Sequence, residues 1–174
     1  MENRLKLIMT ENEIKEAVAK TASVIQRDFA GKNPVLIGVL KGSFVFMADL
    51  MRSLDMPLET DFMRVSSYGM NDSPYEDARI IKDIEIDIKG RHVLVVEDIS
   101  DRGITIEKVL SHLKGKNPAM LKLCALLVRD GSEGASKVDY FGKIIGKGFV
   151  VGYGLDYKER FRNLPALYVM EETE

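Results

Sequence analysis

The run HVLVVEDISDRGIT, His92 to Thr105, constrains this chain more tightly than any other stretch of it. Four consecutive apolar residues, Val93 to Val96, read as a strand buried on both faces. They deliver two adjacent carboxylates, Glu97 and Asp98, to its carboxyl end. Asp101 follows at once, then Gly103 and Thr105, then a helical pattern from Ile104 to Leu113. A buried strand running through a small-residue turn into a helix belongs to an α/β architecture, and ligands in such sheets lie at the carboxyl ends of the strands. The acids suit a hydroxyl-rich or metal-bearing group, while the turn and helix start suit a phosphate. A ligand that carries both is a sugar phosphate with bound magnesium.

The rest of the chain repeats the alternation. Thr10 and Glu13 form a capping box, with Ile14, Ala17, Val18, Thr21, Ile25 and Phe29 at helical spacing and Gly31 as a stop. VLIGVL after Pro34 predicts a buried strand, and FVFMADLMRSL predicts a helix entered through the turn Lys41-Gly42-Ser43. LETDFMRVSS predicts a strand with Glu59, Asp61 and Arg64 on its more polar face. The stretch from Ser67 to Arg79 has no helical or strand period, and a loop of that length in a compact domain is functional or mobile. Ile80 to Ile88 alternates apolar and charged residues, as an edge strand or hairpin does. MLKLCALLV is a further buried strand, and residues 139–141, FVVGYGLDY and LPALYVM complete a β-rich C-terminal third. Strands alternating with helices predict a mainly parallel sheet covered on both faces.

Composition narrows the function classes. The chain has 174 residues, a formal net charge of −2, and 45% apolar and 30% charged residues. That balance gives no electrostatic case for nucleic acid or an anionic membrane as partner. No stretch reaches the roughly 20 apolar residues of a membrane span, and the N-terminus lacks a signal peptide's apolar region. The single Cys124 sits in an apolar run and reads as a buried thiol in a reducing, cytoplasmic setting. Competing readings of the acids fail on residue types. GKIIGKG (Gly142 to Gly148) has the wrong glycine spacing for a nucleotide-binding P-loop and no Ser or Thr after Lys147. GYGLDY lacks the third glycine of a dinucleotide fingerprint. His92 and His112 stand away from other ligand types and read as structural.

Together these segments resemble the type I phosphoribosyltransferases. VEDISDRGIT is similar to that family's signature for 5-phosphoribosyl-1-pyrophosphate, VLKGS to its pyrophosphate loop, and RVSSYG to the start of its mobile catalytic loop. FVVGYGLDYKERFRNLP resembles the purine-site segment of the hypoxanthine-guanine branch. The four appear in the family's order over roughly residues 35 to 165. The resemblance implies a single domain over residues 1–174, a mainly parallel sheet flanked by helices, with a small hood built from both chain ends. It implies that Glu97 and Asp98 hold the ribose hydroxyls and Mg²⁺, with Asp156 at a second Mg²⁺. It implies that Asp101, Arg102, Gly103, Ile104 and Thr105 wrap the 5′-phosphate, and that Lys41, Gly42 and Arg162 take the pyrophosphate. The peptide entering that lysine is often cis in relatives; here it is Leu40–Lys41. Ser67 and Tyr68 would head the closing loop, Asp101 would take the proton lost by the purine, Phe149 would stack on the base, and the Val150 backbone would read its edge. A homodimer or homotetramer is implied by the same analogy.

The chain departs from the family around the base. Relatives carry a lysine after the strand equivalent to LCALLV, donating to the purine 6-oxo group; here Arg129 follows Val128, with Asp130 beside it to pin it. Arg102 stands where relatives often have threonine, at a position that offers mainly backbone. IIGKG replaces the Pro-Asp turn before Phe149. The expected activity is phosphoribosyl transfer to a 6-oxopurine, with two rivals: a xanthine-preferring enzyme, and an RNA-binding regulator on the same fold. The regulator would carry a basic stripe and lack the catalytic acid, whereas Asp101 is present and the charge balance is acidic.

Overall fold

The computed structural model describes residues 4–67 and 78–171. Its main sheet has six strands in the order β4-β3-β2-β5-β6-β7: β2 (Val35–Leu40), β3 (Glu59–Ser67), β4 (Ala78–Lys82), β5 (His92–Ser100), β6 (Met120–Arg129) and β7 (Tyr140–Ile145). All neighbours pair parallel except the edge strand β4, which runs antiparallel to β3. The continuous apolar runs follow from having both faces covered. Along β2 and β5, Val35, Ile37, Val93 and Val95 point to one core with Ile106, Val109 and Leu113 of helix α3 (Ile104–Gly115). Their neighbours Leu36, Leu94 and Val96 point to the other, with Ile14, Val18 and Ile25 of α1 (Glu11–Asp28) and Phe46 and Leu50 of α2 (Phe44–Arg52). Each such Val or Leu side chain, taken wholly out of water, contributes about 1.5–3 kcal/mol.

Helix α1 begins where the capping box puts it. The Glu13 amide donates to Thr10 Oγ1 (3.2 Å) and the Thr10 amide to Glu13 Oε2 (2.7 Å). The helix ends at Asp28 with Phe29 as cap, so Gly31, at φ +71°, belongs to the following turn rather than the stop itself. The second sheet is antiparallel, in the order β1-β9-β8: β1 (Arg4–Met9), β8 (Phe149–Val151) and β9 (Leu167–Glu171). The first and last described strands, β1 and β9, pair there.

Two expectations need correction. The alternation through Ile80 to Ile88 is not one strand: β4 stops at Lys82, and 83–91 is a connector. Its isoleucines still face inward, Ile88 buried and Ile84 and Ile86 packed on the α3 side of the core. Amphipathic alternation therefore served packing without a ladder. Asp61 is not on a polar face. It shares its side of β3 with buried Met63, and its carboxylate accepts backbone N–H groups from Phe62 (2.7 Å), Glu85 (2.6 Å) and Ile86 (3.0 Å). Burial works to raise its pKa, but the three amides and Lys82 outweigh it and hold the carboxyl below its ordinary 3.8. Asp61 is the clamp that fastens the connector to the sheet.

Candidate active site

The parallel pairing of β2 with β5, with Gly38 opposite Val96, brings the segments that follow them side by side. Between these segments lies a cleft of about 270 Å³ lined by Lys41 and Gly42 on one wall, Glu97 and Asp98 on the floor, and Asp101 through Thr105 on the other wall. The turn after β2 is pinned by buried Ser43, whose hydroxyl donates to the Val39 carbonyl at 2.6 Å. The Leu40–Lys41 peptide is cis, as the resemblance implied. A Cβ at Gly42 would stand 1.6 Å from Asp98 Oδ2 and 2.6 Å from its Cγ, so any side chain there would displace the Asp98 carboxylate.

The two acids differ in setting. Asp98 accepts the Ile99 amide at 2.7 Å. Glu97 accepts the Asp98 amide at 3.3 Å. Burial first, and then the negative charge of Asp98, push the Glu97 carboxyl well above its ordinary 4.5. Neither acid is paired with a cationic side chain among the described residues, so the floor carries uncompensated negative charge in an oxygen-only donor set. That fits a hard divalent cation such as Mg²⁺. Among the described residues no three His, Cys, Asp or Glu side chains cluster closely enough to hold a metal by themselves. A cation on Glu97 and Asp98 would thus complete its shell with water and substrate oxygens, which is how Mg²⁺ is commonly bound.

The opposite wall is an anion cradle. Gly103, at φ +82°, is the cap of α3 and turns the chain so that the first amides of the helix face the cleft. The turn is braced from behind by a short 3-10 helix, Glu133–Lys137: the Gly134 amide donates to the Asp101 carbonyl at 2.9 Å. Any side chain at Gly134 would reach Ser100 Oγ within 2.6 Å.

A third group of residues joins the cleft through Lys41. Lys41 Nζ lies 2.8 Å from Glu159 Oε1. Arg162 Nη2 lies 3.1 Å from Glu159 Oε2 and 2.7 Å from Asp156 Oδ1, while Nη1 donates to the Gly154 carbonyl at 2.8 Å. Hydrogen bonds from Lys41 and then Arg162 hold the Glu159 carboxyl below its ordinary value. Beyond Asp101, Arg129 Nε is 3.3 Å from Asp101 Oδ2 and its Nη1 donates to the Gly146 carbonyl. Arg129 is pinned by Asp101 and Gly146, not by Asp130. Phe149, 53% exposed, meets Tyr157 edge-on with ring centroids 5.5 Å apart, while Val150 is buried in β8.

Nine of the sequence-predicted residues therefore line one cleft: Lys41, Gly42, Glu97, Asp98, Asp101, Arg102, Gly103, Ile104 and Thr105. Arg129 reaches it through Asp101, and Arg162 and Asp156 through Glu159. Phe149 and Val150 sit on the hood beside Tyr157. Ser67 ends β3, and Tyr68 lies outside the described residues. Sequence reading missed Glu159, Tyr157 and Gly134. Glu159 stands three residues from both Asp156 and Arg162, a spacing that could have flagged it. Nothing in the sequence ties Gly134 to Asp101.

A mainly parallel sheet with paired acids and a phosphate cradle at its carboxyl edge defines an α/β protein that handles a sugar phosphate. The profile of the phosphoribosyl transferase domain matches residues 8–158, and the chain belongs to that family. It is 44% identical over 174 residues to hypoxanthine-guanine phosphoribosyltransferase of Streptococcus pneumoniae (strain R6), covering 99% of this chain and 97% of that one. It is 43% identical over 162 residues to hypoxanthine phosphoribosyltransferase of Haemophilus influenzae, covering 91% and 90%. A crystal structure of a hypoxanthine-guanine phosphoribosyltransferase from Bacillus anthracis superposes with a TM-score of 0.90 at 38% identity, over 98% of this chain and all of that one.

Proposed function

We propose that this chain transfers the 5-phosphoribosyl group of phosphoribosyl pyrophosphate to N9 of hypoxanthine or guanine and releases pyrophosphate, a step of purine salvage. The observation that carries the reading is the single cleft in which the Glu97-Asp98 floor, the 101–105 cradle and the Lys41-Gly42 wall converge.

The roles follow from chemistry. The amides of 102–105 at the start of α3, with the Thr105 hydroxyl, bind the 5′-phosphate. Glu97 and Asp98 accept hydrogen bonds from the ribose hydroxyls. The same pair, with Asp156 at a second position, would hold Mg²⁺, which there supplies positive charge against the pyrophosphate group. Lys41, the Gly42 backbone and Arg162 hold that group as the bond to the anomeric carbon breaks, the planar guanidinium supplying several donors at once. N9 attacks the opposite face of an electron-poor ribosyl centre, akin to the glycosidase transition state. Asp101 takes the proton the purine loses. Phe149 stacks on the base, the Val150 backbone reads its edge, and Arg129 donates to the 6-oxo group after leaving Asp101. Ser67 and Tyr68 would help exclude water from the activated sugar.

We read residues 1–174 as one domain, supported by the pairing of β1 with β9, which joins the two ends of the chain. The buried, unpaired Cys124 supports a cytoplasmic setting. No helix among the described residues is long and apolar enough to cross a membrane. A homodimer or homotetramer is supported by Phe44 and Met51, which leave an apolar stripe exposed two turns long on α2. A second reading, preference for xanthine, draws on Arg129, whose guanidinium offers more donors than the family's lysine. Steady-state rates with hypoxanthine, guanine, xanthine and adenine, each with phosphoribosyl pyrophosphate and Mg²⁺, test both. Turnover of hypoxanthine or guanine well above xanthine supports the first reading, the reverse order supports the second, and turnover of none refutes both.

A further inference from the structure

We propose that Glu159 is the internal counter-anion of the pyrophosphate subsite: its carboxylate bridges Lys41 and Arg162 in the free chain, and the diphosphate group takes its place when substrate binds. The inference rests on the reading of Lys41 and Arg162 as pyrophosphate ligands. Its geometry is specific. One carboxylate oxygen lies 2.8 Å from the Lys41 ammonium and the other 3.1 Å from the Arg162 guanidinium. The two cations come from positions more than a hundred residues apart in sequence, and the Glu159 carboxylate joins them.

Charge and exposure give the device its direction. Arg162 is 19% exposed and already holds Asp156, whereas the Glu159 side chain is 64% exposed. An arginine so placed needs an anionic partner, while an exposed carboxylate released from it passes into water at little cost. Lys41, Arg162, Asp156 and Glu159 together carry no net charge, so an incoming diphosphate meets a cluster already neutralised. Glu159 thus acts as a positioning residue. It holds the two cations together in the free chain, and by competing for them it weakens the hold on pyrophosphate once the ribosyl group has gone.

The test is Glu159→Gln, which keeps the size and hydrogen-bonding capacity of the side chain and removes its charge. Pyrophosphate is titrated calorimetrically in the presence of Mg²⁺ into wild type and variant, and KM is measured for phosphoribosyl pyrophosphate and for hypoxanthine. Two ion pairs of one exposed carboxylate are at stake, so pyrophosphate Kd and the KM of phosphoribosyl pyrophosphate should each fall about fivefold. The KM of hypoxanthine should stay within about twofold, since the base contacts lie elsewhere. A purely structural role predicts the opposite sign, because a distorted subsite binds more weakly. Unchanged or weaker pyrophosphate binding in the variant overturns the proposal. A wild type that binds no pyrophosphate overturns the reading of Lys41 and Arg162, and the proposal with it.

Discussion

Replacing Gly42 with alanine isolates the contact on which the floor of the cleft depends. The Gly42 backbone is not left-handed, so alanine is conformationally acceptable there and the whole effect comes from the added methyl group. That methyl would stand 1.6 Å from Asp98 Oδ2 and 2.6 Å from its Cγ, against the 3.4 Å at which ordinary contacts begin. The carboxyl carbon must therefore retreat by about 0.8 Å, and the nearer oxygen by more than about 1 Å. A misplacement of about 1 Å in a reacting constellation costs roughly a hundredfold in rate, equivalent to about 2.7 kcal/mol of transition-state stabilisation. Folding should suffer less, since Asp98 is half-buried at an open cleft and has room to swing. The expected outcome is a loss of about a hundredfold in kcat/KM for phosphoribosyl pyrophosphate, with a thermal midpoint lowered by only a few degrees. Steady-state assays with saturating hypoxanthine and a calorimetric melt measure the two quantities. A variant within about threefold of wild type would mean that Asp98 need not occupy its observed position, and the account of the floor would be wrong.

Four further outcomes follow from the same geometry. Asp101→Asn should lower kcat by about two to three orders of magnitude and leave the KM of phosphoribosyl pyrophosphate near wild type; equal losses in binding would show that the Asp101 side chain serves substrate binding rather than proton transfer. Arg129→Ala should raise the KM of hypoxanthine far more than that of phosphoribosyl pyrophosphate, and equal effects would reject its role at the base. Glu97→Gln should stabilise the fold while reducing turnover. The Glu97 pKa is raised in the folded chain, so ionising it opposes folding above about its ordinary 4.5 and no longer does so below; a melting difference that persists undiminished at low pH would contradict this. Asp61→Asn should cost about 2 kcal/mol at neutral pH, because an amide cannot accept all three N–H groups. Its carboxyl is held below 3.8, so the wild-type advantage should be full above that pH and fade as pH falls through the folded value. Urea denaturation at several pH values checks the trend.

What sequence made legible was the part governed by local periodicity and by close spacing. The continuous apolar runs in β2, β5 and β6 required a sheet covered on both faces, and the chain places α1 and α2 against one face and α3 against the other. The floor and cradle were readable because Glu97 to Thr105 lie within one strand-turn-helix unit. Periodicity misled where its usual cause was absent. The alternation beyond Lys82 packs a connector onto α3 without a ladder, and Asp61 is an acid turned inward because backbone amides await it there. The network around Glu159 was readable only in part, in the spacing of Asp156, Glu159 and Arg162. Lys41 meets Glu159 only through the fold, by a segment that carries Lys158, Glu159 and Phe161 at positive φ. Residue type gives no warning of such a backbone, since none of the three is glycine or asparagine. Phe149 is exposed although its neighbours Val150 and Val151 are buried, a difference that the apolar run alone does not announce.

The central claim is that one cleft, floored by Glu97 and Asp98 and closed by the start of α3, receives the ribose 5-phosphate. Crystals grown with inosine monophosphate, pyrophosphate and Mg²⁺ test it most directly. The account predicts 5′-phosphate oxygens within hydrogen-bonding distance of the 102–105 amides, the ribose hydroxyls on the two acids, and the base between Phe149 and Arg129. A nucleotide bound elsewhere, with that cleft filled only by water, would contradict it.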